Sequence, residues 1–322
     1  MEVGSKFCFE QRAATVLFNI ISAQNCGDGT FLLPANICPI VPLVLCKAGR
    51  TFEFVDIDPN TLCLDHGAVL VRCAEESAPL AGIIYVRSYG SIIDTTNLFS
   101  KIKSLSPNAI IIDDRCLCPP EFNDVIPGDT DAILYSTGYG KYVDIGFGGY
   151  GVMRNNLPYN RFQLPFNPSD LDKLIKQYKN CLSTGRQFIY FDSNWLDLSH
   201  PLIKWEEYRI RIQQEIMRVS ITKELINAVY LNNLPAEMCF PGHFQKWRFN
   251  IHVENKMEIL DLIRREGLFA SGHYEPLYKL FNMKNTPVAE KIHNSIINLF
   301  NDRYFDDERA FKLAELLTTH YC

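Results

Sequence analysis

The chain reads as an α/β protein with two parts, a large domain on a mainly parallel sheet and a small α+β domain at the C-terminus. Three observations predict this. Short apolar runs of strand type (FLLP, TFEFVDID, GIIYV, AIII and AILYS) alternate with helical stretches through the first half, the pattern of a parallel sheet covered on both faces. From about Asn194 onward the texture changes to long helical patterns broken by a short strand. Polar clusters, Arg87-Ser88-Tyr89, Asp113-Asp114 and Ser136 to Lys141, directly follow apolar runs, and open sheets hold their ligands beyond the carboxyl ends of the strands.

Each element has its own signal. QRAATVLFNIISA, residues 11 to 23, carries a mostly apolar helical pattern, stopped by Asn25 to Thr30. Phe31 to Pro34 is a strand, and the second half of ANICPIVPLVLCKAG is a helix ending near Gly49. Thr51 to Asp58 is the next strand, running into a Pro59-Asn60 turn. Gly82 to Val86 is the third strand, and a helix follows near Thr95 to Ser104. Ala109 to Ile112 is the fourth, ending on Asp113-Asp114, and AILYS is the fifth. In the second part, Trp205 to Leu231 has apolar positions at helical spacing, as one long helix or two in succession. Trp247 to Val253 is strand-like, MEILDLIRREG is an amphipathic helix ended by Gly267, and a last helix lies near Asp307 to Thr318. The expected domains are 1–200 and 201–322.

Composition narrows the function. With 322 residues, 47% hydrophobic and 21% charged, the chain can build one large core and a smaller second one. A net charge of -5 without a Lys/Arg run excludes a nucleic-acid surface, which needs clustered positive charge. No apolar run reaches membrane-spanning length and MEVGSKFCFEQR has no signal-peptide core, so the expected location is the cytoplasm. Eleven cysteines are scattered, many inside apolar segments, and Cys116-x-Cys118 has no second pair at ligand spacing. They are expected to be reduced thiols, with no metal site.

The chemistry concentrates in Ala132 to Met153, AILYSTGYGKYVDIGFGGYGVM. A strand passes Ser136 and Thr137, presents Lys141 in a loop, and runs through Gly146, Gly148, Gly149 and Gly151. Glycines let backbone approach a flat ligand, and a hydroxyl five residues before the lysine can hold an anion. A lysine that bonds to pyridoxal phosphate (PLP) needs this setting, a desolvated nucleophilic amine beside a phosphate anchor. The plain alternative is a surface lysine in a Gly-rich turn.

In order, FLLPANICPIVPLVLCKAG, FEFVDIDPNTLCLD, IIYVRSYGSIID, AIIIDD, the Lys141 stretch and WRFNIHVENKMEILDLIRREGLFASGHYEPLY resemble the DegT/StrS-type aminotransferases. These are PLP-dependent enzymes of the aspartate aminotransferase fold (fold type I), many of which aminate keto sugars carried on nucleotides. The resemblance covers most of residues 11–153 and about 247–281, and leaves roughly 155–245 unmatched. It implies that Lys141 is the Schiff-base lysine, Ser136 a phosphate ligand and Asp114 the carboxylate that keeps the pyridine nitrogen protonated, with Asp113 its less critical neighbour. Arg12, Ala13 and Ala14 match the start of a helix whose first N–H groups hold the phosphate. Arg12 reads equally as a solvent-facing charge.

Departures bear on the substrate. Leu117 stands where the family often has Gln or His, Arg87 where it has His, and Phe147 where it has an acid. Cys38 occupies the place of an aromatic ring stacked on the cofactor, leaving that face to another residue such as Tyr89. The N-terminal segment before the first helix is nearly absent. Arg87 at the crevice mouth suits a pyrophosphate or a carboxylate. Arg248 suits a donor carboxylate or pairs with an acid of the protein, and His273-Tyr274 occupies the family's HY position near the site mouth. The family also implies a homodimer with a shared site. Phe191 to Trp205 would serve at that interface, and Asn194 would either reach the neighbouring site or cap a helix. The implied activity is transfer of an amino group, from glutamate, to a keto sugar nucleotide. A non-catalytic relative of the fold and an amino-acid transaminase are the alternatives. A dehydratase branch has histidine in place of the lysine, and Lys141 argues against it.

Overall fold

The central strands of the large sheet are mostly apolar because both of its faces are covered. The computed structural model describes residues 5–25, 27–75 and 79–320. In chain order the first elements are β1 (Ser5–Glu10), α1 (Ala13–Ala23), β2 (Thr30–Pro34), α2 (Ile40–Lys47), β3 (Phe52–Val55), α3 (His66–Cys73), β4 (Leu80–Val86), α4 (Thr96–Leu105), β5 (Ile110–Asp114), β6 (Ala132–Ser136) and β7 (Gly149–Arg154). They form a seven-stranded sheet in the order β1-β7-β6-β5-β4-β2-β3. Strands β3, β2, β4, β5 and β6 are parallel, and β7 turns back antiparallel against both β6 and β1. The mainly parallel α/β sheet expected from the apolar runs is present. One face packs with α1 and α2 and carries the largest core, including Val16, Ile20, Val44 and Ile112. The other face carries Val69, Ile83, Phe99 and Ile111 under α3 and α4.

Local chemistry sets the ends. The Asp65 carboxylate accepts the Ala68 N–H at 2.6 Å and starts α3. The strand expected over Thr51 to Asp58 stops at Val55, because Asp58 turns the chain by accepting the N–H groups of Asn60 and Thr61, both at 2.8 Å. Helix α1 ends at Ala23, as expected, while Cys26 of the stop signal lies outside the described residues.

The second half continues with α5 (Pro168–Thr184), α6 (Trp205–Asn233), β8 (Phe249–His252), α7 (Lys256–Arg265), β9 (Ala270–Gly272), α8 (Pro287–Ser295), β10 (Ile296–Leu299) and α9 (Asp307–His320). Helix α5 falls in the stretch that matched nothing by sequence. Asn167 caps it by accepting the Ser169 N–H at 3.0 Å, Pro168 opens it and Gly185 closes it at φ +64°. A three-stranded antiparallel sheet, β8-β10-β9, has its own core with α6, α7 and α9, including Ile226, Tyr230, Phe249, Ile263, Ile297 and Leu313. Trp205 to Asn233 is a single helix, and it joins the two parts. Tyr208 and Ile212 pack with Phe9 and Tyr150 of the large sheet, whereas Ile226 and Tyr230 belong to the C-terminal core. Among the described residues, no helix is long and apolar enough to cross a membrane and no group of His, Cys, Asp or Glu could hold a metal ion. Nine cysteines are free thiols, and Cys26 and Cys322 lie outside the described residues.

Candidate active site

Strands β2, β4, β5 and β6 all end on the same edge of the sheet, so the segments that follow them (Asn36 to Cys38, Arg87 to Gly90, Asp113 to Cys116, and Ser136 to Lys141) share one crevice. The glycines build its wall. A Cβ on Gly149 would stand 2.1 Å from the Ala13 backbone nitrogen, so β7 can begin directly under α1 only with glycine there. Gly148 has φ +91°, and a Cβ on it would meet the Tyr208 ring at 2.5 Å. Around the lysine, Asp144 fastens the loop by accepting the N–H groups of Gly140 at 2.8 Å and Gly146 at 3.0 Å.

The two adjacent aspartates of β5 have opposite surroundings. Asp113 is fully buried and saturated: Arg87 donates to it at 2.6 and 3.0 Å, and Arg115 at 2.9 Å. Asp114 is 6% exposed, and its carboxylate accepts from Cys116, the backbone N–H at 2.9 Å, with no ion pair among the described residues. Burial raises its pKa, more than the bond from Cys116 and the charge of Lys141 lower it. Lys141 is half-buried, and its amine has no hydrogen-bond or ion-pair partner among the described residues. Burial disfavours its charged form, but Cys116, Cys38 and Asp114 together outweigh burial and the net direction is upward. Burial and then Asp114 push the Cys116 thiol far up, so it stays protonated.

Ser136 and Arg12 meet at the head of the β6 loop. A Cβ built on Gly138 would lie 3.7 Å from Ser136 Oγ and 3.8 Å from Arg12 Nη1, so hydroxyl and guanidinium face the same small space. Arg12 precedes α1, donates to the Gly146 carbonyl at 2.8 Å and lies over the Tyr139 ring, so it is not a solvent-facing charge. Ala13 and Ala14 open α1 and are partly exposed beside it.

Other expected residues stand differently. Arg87 is 2% exposed and spends its guanidinium on Asp113, the Ile93 carbonyl and Thr95, so it offers no charge at the crevice mouth. That expectation is corrected, because a buried acid 26 residues away claims the arginine. Tyr89 is fully buried against His273, with ring centroids 4.4 Å apart, and its hydroxyl has no partner among the described residues. It therefore presents no open face to a cofactor ring. Arg248 pairs with Asp302 and stacks 3.7 Å from the Phe300 ring centroid, which is the second of its two readings. His273 is 7% exposed, its pKa lowered to about 3 by burial first and by His293 and Lys256 next. Cys38 is half-buried within electrostatic range of Lys141, Cys116 and Tyr274. Asn194 caps no helix; its carbonyl accepts the N–H of Asn167, the residue that caps α5.

Sequence reasoning missed Trp247 and Lys223, both of which reach the Lys141 loop. Lys223 interrupts the apolar stripe Ile212, Ile216, Val219, Ile226, Tyr230 on α6, and a lysine inside such a stripe was the available signal. A cavity of about 690 Å³ between Gln24 and Ile110 lies at the opposite edge of the sheet and is lined by none of these residues.

Neither a family model nor a curated protein matches the chain. Solved structures do. A DegT/DnrJ/EryC1/StrS aminotransferase from Brucella abortus superposes with TM-score 0.70 at 15% identity, over 98% of this chain and 86% of its own. Helicobacter pylori PseC, an aminotransferase involved in the biosynthesis of pseudoaminic acid, gives 0.70 at 15% over the same shares. The chain has the DegT/DnrJ/EryC1/StrS aminotransferase fold. This aminotransferase fold, PLP fold type I, is the one expected from the order of the sequence motifs. It also serves other chemistry: the Escherichia coli GDP-4-keto-6-deoxy-D-mannose-3-dehydratase, with bound hydrated PLP, superposes at 0.66 and 15% identity over 97% of this chain and 88% of its own. Function must therefore be argued from the residues of the site.

Proposed function

We propose that the protein is a PLP-dependent aminotransferase that moves an amino group, from glutamate, to a keto sugar on a nucleotide. The observation that carries the reading is the contrast at the end of β5: Asp114 is buried and unpaired while an unpartnered lysine, Lys141, stands across the crevice. A buried carboxylate without a counter-charge is costly, and a protonated pyridine nitrogen is the partner it lacks. The space between Ser136 and Arg12 suits a phosphate, with Ala13 and Ala14 at the adjoining helix start. These residues fit PLP. Cys38 supplies no aromatic face, and that side of the site departs from the resemblance.

Bound there, the cofactor would supply an electron sink for the Cα–H bond of the amino donor. The chain does the rest. Asp114 would balance the positive charge of the protonated ring nitrogen, and Ser136 and Arg12 would hold the phosphate. The Lys141 amine would serve as the acid/base that takes the proton from the donor Cα.

The sugar-nucleotide acceptor is supported by the shared fold, since PseC and the dehydratase are named for work on sugars, and by the VDIDPNTLCLD and GLFASGHY segments. Such products fit polysaccharide synthesis. The same proposal includes a homodimer, supported by exposed Ile189, Phe191 and Leu202 in and beside the 191–205 segment. It includes a cytoplasmic location, supported by nine free thiols, and a division into 1–200 and 201–322, supported by the two cores that α6 joins.

The test is spectroscopic. Purified protein given PLP should show a visible band that borohydride fixes to Lys141, and Lys141→Ala should lose the band while keeping its fold. Conversion with glutamate should then be reversed by nucleotide keto sugars. Reversal by 2-oxo acids other than 2-oxoglutarate, and by no sugar, would point to an amino-acid transaminase. Bound PLP with no conversion by any donor would point to a non-catalytic relative.

A further inference from the structure

Two contacts bracket Lys141, and both come from the C-terminal half of the chain. On one side the Trp247 indole N–H donates to the Gly140 carbonyl at 2.7 Å. On the other the Lys223 amine stands 5.3 Å from the centroid of the Tyr142 ring. The two contacts are linked. Lys223 Nζ donates to the Trp247 carbonyl at 2.7 Å and to Asn301 Oδ1 at 2.8 Å, and Asn301 in turn donates to Asn227 at 2.9 Å. Lys223 is 3% exposed on the apolar stripe of α6, where an unbranched apolar side chain would fill the same volume at lower desolvation cost. A lysine kept there points to a role beyond packing.

We propose that Trp247 and Lys223 are positioning residues for Lys141: the C-terminal half of the chain sets where the Lys141 amine stands, through one indole hydrogen bond and one buried lysine. The proposal rests on reading Lys141 as the reactive amine. The loop's own bonds leave the two flanking groups free: Asp144 accepts the Gly140 and Gly146 N–H groups, the Ile145 N–H donates to the Thr137 carbonyl at 3.0 Å and the Lys141 N–H to the Gly138 carbonyl at 3.3 Å, but none of them engages the Gly140 carbonyl or the Tyr142 ring. An outside hold on Gly140 and Tyr142, the residues flanking Lys141, fixes the direction in which the amine projects.

The charge of Lys223 is part of the device. Burial, then the Arg248 guanidinium, push its pKa down to about 7, and Asp302, which pairs with Arg248, opposes them. The groups facing it are Arg248, Asp302, Tyr142, Asn301 and the Trp247 carbonyl. An uncharged amine keeps two N–H groups, enough for Trp247 and Asn301, so that link persists above pH 7. The cation over the Tyr142 ring is present below about pH 7 and lost above it.

Cofactor-free protein, treated with formaldehyde and cyanoborohydride and mapped by peptide mass spectrometry, tests this. The unprotonated amine condenses with the aldehyde, water leaves, and cyanoborohydride delivers hydride to give N-methyl-lysine. Trp247→Phe keeps a ring and removes the donor. We expect Lys141 to be methylated about fivefold faster, the worth of one hydrogen bond, with its pH dependence displaced towards that of a free lysine. PLP retention should weaken by a similar factor. Lys223→Met should act in the same direction, more strongly relative to wild type at pH 6 than at pH 8. Lys256→Met is the control, because that buried lysine donates to the His293 carbonyl instead; it should lower stability and leave Lys141 methylation unchanged. Wild-type methylation rates and pH dependence at Lys141 in folded Trp247→Phe, or an equal change in Lys256→Met, would overturn the proposal. Should Trp247→Phe not fold, Lys223→Met decides alone. A wild-type protein that never holds PLP at Lys141 would sink the cofactor reading, while the methylation rates still decide whether Trp247 and Lys223 position the amine.

Discussion

Asp113 and Asp114 are adjacent on one strand, yet one has two arginines and the other has no ion pair among the described residues. Asp113 faces the side of the sheet where Arg87 and Arg115 close a buried charge cluster, with Tyr85 under the Arg87 guanidinium at 4.9 Å. Asp114 faces the crevice and the Lys141 loop. Alternation along a strand sends neighbours to opposite faces, so two identical side chains meet different demands. A saturated buried charge can hold the fold together, whereas an unsaturated one leaves room for the further partner proposed above.

Three experiments break or sharpen that contrast. Asp114→Asn should slow the half-reaction with an amino donor by about a hundredfold or more, the scale of losing one directed electrostatic contact. Its melting temperature at pH 7 should not fall. Burial raises the folded-state pKa of Asp114 above its unfolded value, so the ionised carboxylate costs stability at neutral pH and the amide does not. An unchanged single-turnover rate would remove Asp114 from the proposed reaction. Asp113→Ala should instead destabilise the protein by about 3–5 kcal/mol in urea unfolding, because two buried guanidinium groups lose their acceptor. A loss below about 1 kcal/mol would show that the cluster behaves as a surface pair. The smallest effect concerns pH. Lys223 has a folded-state pKa of about 7, below that of an exposed lysine, so unfolding takes up a proton between about pH 7 and about pH 10. Stability from this group therefore rises with pH across that window, and Lys223→Met should flatten the slope in urea titrations at pH 7, 8 and 9.

The sequence and the structure agree most closely where physical causes are local. Five parallel strands were legible, four as apolar runs and β3 from its alternating Phe52 and Phe54, with all five residues of β5 buried. The Lys141 loop was legible because only glycine tolerates the contacts at Gly148 and Gly149, and glycine shows in the sequence. Strand β7 was read as the tail of a loop, since Gly149 and Gly151 mask its pattern; they are small because Ala13 and Cys8 press on them. Strands β9 and β10 are three and four residues long and owe their pairing to each other and to β8. Helix α5 escaped notice because it buries only Leu174 and Cys181. The arginines were hardest. Whether Arg87 and Arg248 are free depends on Asp113 and Asp302, which lie 26 and 54 residues further along, and no spacing rule reports that.

The antiparallel pairing of β1 with β7 sets a timetable for synthesis. Cys8 meets Gly151 across 143 positions of chain, so at about 5–20 residues per second the first strand waits roughly 7–30 s for its partner to be translated. During that interval Phe7 and Phe9 have neither β7 nor the Trp205 and Tyr208 rings that later cover them. The nascent chain thus carries a sticky, unpaired β1 through the synthesis of those 143 residues, and high-contact-order closures of this kind are slow. Chaperone dependence during expression should accordingly fall when Phe7 is replaced by a polar β-former such as threonine, a trade of some packing on Trp205 for a quieter start.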